Sequence, residues 1–179
     1  MNQDQPKEQL LVEALPGYTP EIGRYLWMLE DSRRRTKEVV QGVAQLVIDW
    51  CATEYDNRIG TLLYHIALIE LDWLYAEVLE QEYPTHLMAL FPYDVRNKQG
   101  QLSVVTGVSL DEHLQRLDTV RTALMAAFQS MSLEEFRRPR QLPSYDVTPE
   151  WVLYHLIEHE TAHRGEIGEM RRLAEQDIF

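Results

Sequence analysis

Apolar residues return every three to four positions in four long stretches of this chain, and nowhere do they alternate with polar residues for more than a few positions. A repeat near 3.6 buries one stripe of a helix, whereas alternation would bury one face of a strand. The pattern therefore predicts an all-α fold, and four stretches of this length predict a four-helix bundle. A length of 179 residues suits a single domain with a substantial core. We expect residues 1–17 to form a polar N-terminal lead-in and residues 18–179 to form that domain.

The first helix is expected from Thr19-Pro20-Glu21, a capping residue followed by proline and an acid. Ile22, Tyr25, Leu26, Leu29, Val39 and Val40 mark its inner side, and the charged run from Asp31 to Lys37 reads as solvated. The second helix is expected over about 57–80, capped by Asn57 and ended at Tyr83-Pro84. Residues 83–108 carry Pro84, Pro92, Gly100 and Gly107 and have no period. Such a long connection can cross a bundle from end to end, so helices two and three are expected to run parallel. The third helix is expected from Ser109, and the fourth from Thr148-Pro149-Glu150 to about Glu175.

Histidines interrupt two of these apolar patterns. His155, His159 and His163 follow one another at four-residue intervals in the last helix, one turn apart on one side. His65 sits among Leu62, Ile66 and Ile69 in the second. A buried imidazole is unfavourable unless it is paired or ligated. An i, i+4 pair supplies two ligands to one metal ion, and catalytic sites of this kind commonly use three protein ligands with one open position. His65, His159 and His163 are therefore expected to converge on one divalent metal, with His155 as an alternative to His163 or as its neighbour. His86 and His113 read as surface residues.

Two other metal patterns overlap this stretch. His159-Glu160-Thr161-Ala162-His163 matches the His-Glu-x-x-His of zinc proteases, in which the glutamate is a general base. Against that reading, Gly165 comes one residue too early for the extended motif, only 16 residues of this sequence follow His163, and no strand-rich lobe is visible upstream. Glu160 with His163 also forms a Glu-x-x-His of the di-iron bundle type, but no other histidine has a glutamate three residues before it.

Charge narrows the partners. Lys and Arg total 17 against 29 Asp and Glu, a net charge of -12. Such a surface repels nucleic-acid phosphates and anionic lipid, so no nucleic acid and no membrane are expected as partners. The single cysteine, Cys51, allows no intrachain disulfide and fits a cytoplasmic location. Arg121 interrupts the inner side of the third helix, either to hold a carboxylate or as a solvated edge residue.

Two segments resemble a known family. Asn57-Arg58-Ile59-Gly60-Thr61-Leu62-Leu63-Tyr64-His65-Ile66-Ala67, with Glu70 and Trp73 beyond it, resembles the second helix of the DinB-like superfamily. Thr148 through His159 and on to His163-Arg164-Gly165-Glu166-Ile167 resembles its last helix. The resemblance implies a four-helix bundle whose three-histidine site, here His65, His159 and His163, holds zinc or nickel. It also implies transfer chemistry on a low-molecular-weight thiol and an electrophile, and a homodimer. A metal lowers the pKa of a thiol bound to it, so no catalytic cysteine is needed. A non-catalytic metal- or ligand-binding bundle is the alternative reading.

Overall fold

The computed structural model describes residues 7, 9–53 and 57–178. Its ordered elements are almost all helical. α1 is Pro20–Val40, α2 Gln45–Ile48, α3 Ile59–Asp72, α4 Thr85–Met88, α5 Leu110–Gln129, α6 Leu133–Arg137 and α7 Pro149–Ile178. The only sheet among the described residues is the short antiparallel pair β1, Arg140–Gln141, and β2, Asp146–Val147.

The start signals read in the sequence act in different ways. Ser109 caps α5 with a full capping box, its hydroxyl accepting from the Glu112 amide while the Glu112 carboxylate accepts from the Ser109 amide. Thr148 accepts from the Trp151 amide at 3.1 Å and so caps α7. Thr19, expected to do the same for α1, instead donates its hydroxyl to the Met131 carbonyl. Asn57 does not cap α3, whose N-cap is Arg58 in an extended conformation with no side-chain bond. The end of the helix that α3 begins falls close to the expected residue 80. α3 continues into a π-helical stretch, Trp73–Val78, and the chain leaves the helix at Glu80 with φ 53°. The wider turns of a π stretch shift the side chains that follow, and such stretches recur beside functional sites.

Contacts fix the directions of the four long helices. Gly60 of α3 faces His113 of α5, and Glu70 faces Arg121, so α3 and α5 run parallel. Ser32 meets Thr161 and Val39 lies by Gly168, so α1 and α7 also run parallel. His65 meets His159 while Trp73 meets Trp151, so α3 and α7 are antiparallel. The connection from α3 to α5 therefore returns along the molecule, as its length predicted. It carries α4 and the lone bridge Arg96–Leu102. Between α3 and α5 the approach is tight, since a Cβ on Gly60 would stand 3.0 Å from the His113 ring nitrogen.

The core is split in two. One apolar cluster gathers Val40, Ile48, most of α3, Leu117, Val120 and Ile167. The other gathers Ile22, Leu26, Leu29, Leu74, Leu124, Phe128 and Leu156. At their boundary lie four buried charged residues, one from each long helix: Arg33, Glu70, Arg121 and Glu160. The run from Asp31 to Lys37 is thus not wholly solvated, because Arg33 is only 3% exposed.

Candidate metal centre

The buried stripe of α7 runs through Val152, Leu156, Glu160, Ile167 and Ala174. His159 and His163 stand at its edge, half-buried, rather than on its centre line as their spacing suggested. From there they face α3, whose His65 is 7% exposed. One ring nitrogen of each of the three histidines lies within 4.8 Å of those of the other two, an arrangement that can hold a metal ion.

His65 Nε2 and His159 Nε2 are 3.1 Å apart. Both rings lose basicity. Burial, helped by His163 and by Arg96, pushes His65 down to about 4. Burial, helped by His163, His65 and His155, pushes His159 down to about 3. Two neutral imidazoles therefore meet nitrogen to nitrogen, each with at least one lone pair. A tetrahedral ion with nitrogen ligands near 2.1 Å would set those nitrogens roughly 3.4 Å apart, a few tenths of an ångström beyond the observed separation, so a small adjustment of the rings fits the pair to one ion. His163 turns Nδ1 toward Glu166 Oε2 at 3.3 Å, which leaves its Nε2 free. A carboxylate on the far nitrogen of a ligating imidazole orients the ring and raises its donor strength. Glu166 is a supporting residue that the sequence reading did not single out, although the i, i+3 spacing from His163 was visible.

His155 takes no part in the triad. Its ring stacks on Trp151, centroids 5.0 Å apart and planes 10° from parallel, and packs 4.7 Å from Trp73. Trp73 opens the π-helical stretch of α3, so that irregularity places an indole against the histidine helix. His86 is exposed as expected, but His113 is not a surface residue: it is 1% exposed beneath the connection between α3 and α5. Burial, with the charge of Arg116, pushes it down to about 4.

Glu160 is unavailable as a general base. It is 1% exposed and accepts from Arg33 Nε at 2.8 Å and from Arg121 Nη2 at 3.2 Å. Arg121 also donates to both oxygens of Glu70 and to Glu30. Arg121 does hold carboxylates, and they belong to the protein itself. Burial alone would raise the Glu70 carboxyl, but the charges of Arg121 and Arg33 outweigh it and hold it below its ordinary value. The glutamate of the His-Glu-x-x-His pattern is thus part of an internal ion layer, and the protease reading loses its base.

Residues 28–167 match the sequence model of the DinB superfamily, DinB_2. Protein YkkA of Bacillus subtilis (strain 168) is 23% identical over 129 residues, which are 72% of this chain and 71% of YkkA. A conserved protein from Enterococcus faecalis has a similar crystal structure, with a TM-score of 0.68 at 14% identity over 84% of this chain and 94% of that one.

Proposed function

The chain belongs to the DinB superfamily, and on that premise we propose that it is a metal-dependent enzyme joining a low-molecular-weight thiol to an electrophile. In this reading the chain is a single-domain four-helix bundle, works as a homodimer in the cytoplasm, and holds zinc or nickel on His65, His159 and His163. The observation that carries it is the meeting of His65 Nε2 and His159 Nε2, both neutral, beside a third imidazole.

Three neutral ligands leave a divalent ion its full positive charge, which lowers the pKa of a bound thiol and presents it as thiolate. The protein's own residues prepare for that. The burial that pushes His65 and His159 down keeps their nitrogens unprotonated at neutral pH. Glu166 steadies the ring of His163. Arg33 and Arg121 hold Glu160 away from the histidines, so no carboxylate adds negative charge to the ligand set. A thiol ionised by a metal needs no neighbouring base, in contrast to the water of a metalloprotease, and this favours sulfur transfer over hydrolysis. Among the described residues, no helix is long and apolar enough to cross a membrane.

The test is metal content, helicity and thiol consumption measured together on the wild type and on His159→Ala. The variant is expected to keep its helicity while losing both metal and thiol transfer. Full transfer activity in metal-free His159→Ala would overturn the mechanism. A wild type that binds metal but consumes none of a panel of thiols would establish the non-catalytic reading instead.

A further inference from the structure

Beyond His155, on the side away from the triad, a cavity of about 450 Å³ opens between the start of the π-helical stretch, the β1–β2 hairpin and the first turn of α7. Its walls are the rings of Trp73, Tyr145 and Trp151, with Asp146 at the rim. The rings are splayed: Trp73 is tilted 42° to Trp151 and 33° to Tyr145, with centroids 5.3 and 6.3 Å away. Tyr145 and Trp151 are 46% and 45% exposed, although both are among the largest apolar side chains of the chain.

Acidic groups surround these rings. The Tyr145 hydroxyl donates to Glu77 Oε1 at 2.9 Å. Glu77 is only 8% exposed, and its other oxygen, Oε2, is buried with no hydrogen-bond partner among the described residues. Asp72 is close enough to act on both Glu77 and Tyr145. No lysine or arginine forms an ion pair with Asp72, Glu77 or Asp146 among the described residues. The arginines flanking Pro139, which also lines the cavity, are already engaged: Arg138 with Glu135, and Arg140 with Glu135 and the Val78 carbonyl.

We propose that this cavity binds a small organic cation, an amine or quaternary ammonium carrying apolar substituents. Aromatic faces attract such a cation through their quadrupoles while their area buries its alkyl groups. The carboxylate that lines the cavity is Asp146, which makes no ion pair among the described residues and would pair with a cation bound there; Glu77 lies behind Tyr145, outside the lining. The net charge of -12 draws cations toward the molecule in the first place. His155 separates this cavity from the triad: it stacks on Trp151 on one side and lies 5.9 Å from His159 on the other. A bound cation would therefore sit one ring away from the histidine cluster, and its binding does not require that any metal be present.

The test compares choline with its uncharged isostere 3,3-dimethylbutan-1-ol, each titrated into the full-length protein by calorimetry and tryptophan fluorescence, with and without added zinc. Choline is expected to bind roughly tenfold more tightly than the alcohol, in line with the strength of a partly desolvated cation–aromatic contact. Asp146→Asn removes the charge that lines the cavity and keeps the side chain's size. It should erase most of that preference and leave alcohol binding as it was. Trp151→Leu, at a half-exposed position, should weaken both ligands with helicity unchanged. Equal binding of the two probes, or a choline preference untouched in both variants, would overturn the proposal, as would no binding of either. None of these readouts uses a thiol or a metal, so their failure is distinct from failure of the transferase reading.

Discussion

Two clusters span the same pair of helices and end in opposite states. α3 supplies His65 to one and Glu70 to the other; α7 supplies His159 and His163 to one and Glu160 to the other. In the ion layer, two arginines from α1 and α5 fill the space between two carboxylates, and the Glu70 oxygens accept 2.7 to 2.9 Å bonds from both. In the histidine cluster, no cation or carboxylate among the described residues comes between His65 and His159, and nitrogen faces nitrogen. Buried charges must be closed off by partners or they destabilise the fold. Neutral imidazoles tolerate an open arrangement, and openness is what a metal needs. Glu160 and His159 are sequence neighbours, yet the first braces α7 against the other helices while the second faces the site.

The sharpest way to break this comparison is to open the closed cluster. Glu70→Ala leaves the buried guanidiniums of Arg33 and Arg121 sharing one carboxylate fewer. We expect a loss of about 3–5 kcal/mol in unfolding free energy, measured by urea denaturation. A loss below about 1 kcal/mol would show that water reaches the layer and that it is not closed.

The open cluster should respond to what is added rather than to what is removed. At a zinc concentration a hundred times the dissociation constant, the wild type should gain about 2.7 kcal/mol, seen as a rise in thermal midpoint. His65→Ala and His159→Ala should show no such gain, although their metal-free stabilities stay close to that of the wild type. The cavity left by either truncation is partly offset by the removal of a buried polar ring. A zinc-dependent rise persisting in His65→Ala would mean that the ion sits elsewhere.

How much of this was legible follows from what each residue does to a pattern. His65, His159 and His163 stood out because polar rings broke apolar helical periods. The helical class and the parallel run of α3 and α5 followed from period and connection length. The ion layer was not read, because its members looked ordinary apart: Arg33 in a charged run, Glu160 in a motif that offered it another role, Arg121 as a possible edge residue. Only the fold brings them together. His113 was misplaced for the same reason. It lies in the first turn of α5, where its ring packs against Gly60 of α3 and meets Arg116.

His113 provides a third test, since it is a buried histidine outside the open cluster. Its pKa is about 4 folded against 6.5 for an ordinary histidine. Well above pH 6.5 it is neutral in both states and contributes no pH dependence. As pH falls from 6.5 toward 4 the unfolded chain takes up a proton that the folded chain refuses, so stability falls. By pH 5.5 this amounts to about 1.4 kcal/mol. His65 and His159 act in the same direction. His113→Gln should flatten part of the acid slope without altering zinc binding. A variant with unchanged slope would mean that His113 is protonated in the folded state.

The smallest effect is expected one residue away from one of the largest. Arg33, Arg34 and Arg35 are consecutive, and all three make carboxylate contacts within 3 Å. The side chain of Arg33 is 4% exposed; those of Arg34 and Arg35 are each 55% exposed. Arg34 bonds to Asp31 and Glu38 on its own helix, so its pairs add nothing between helices. Water solvates both partners whether or not they touch, and the side-chain entropy lost in pairing offsets most of the Coulomb gain. Arg34→Ala should therefore leave the urea midpoint unchanged within the error of the denaturation series. The difference between neighbours was encoded in spacing. Leu26, Leu29, Arg33, Thr36 and Val40 fall on one helical stripe, all buried, while Arg34 falls off it. An arginine that continues an apolar stripe belongs to the inside, and an equal loss from Arg34→Ala and Arg33→Ala in the same denaturation series would refute that rule for this helix.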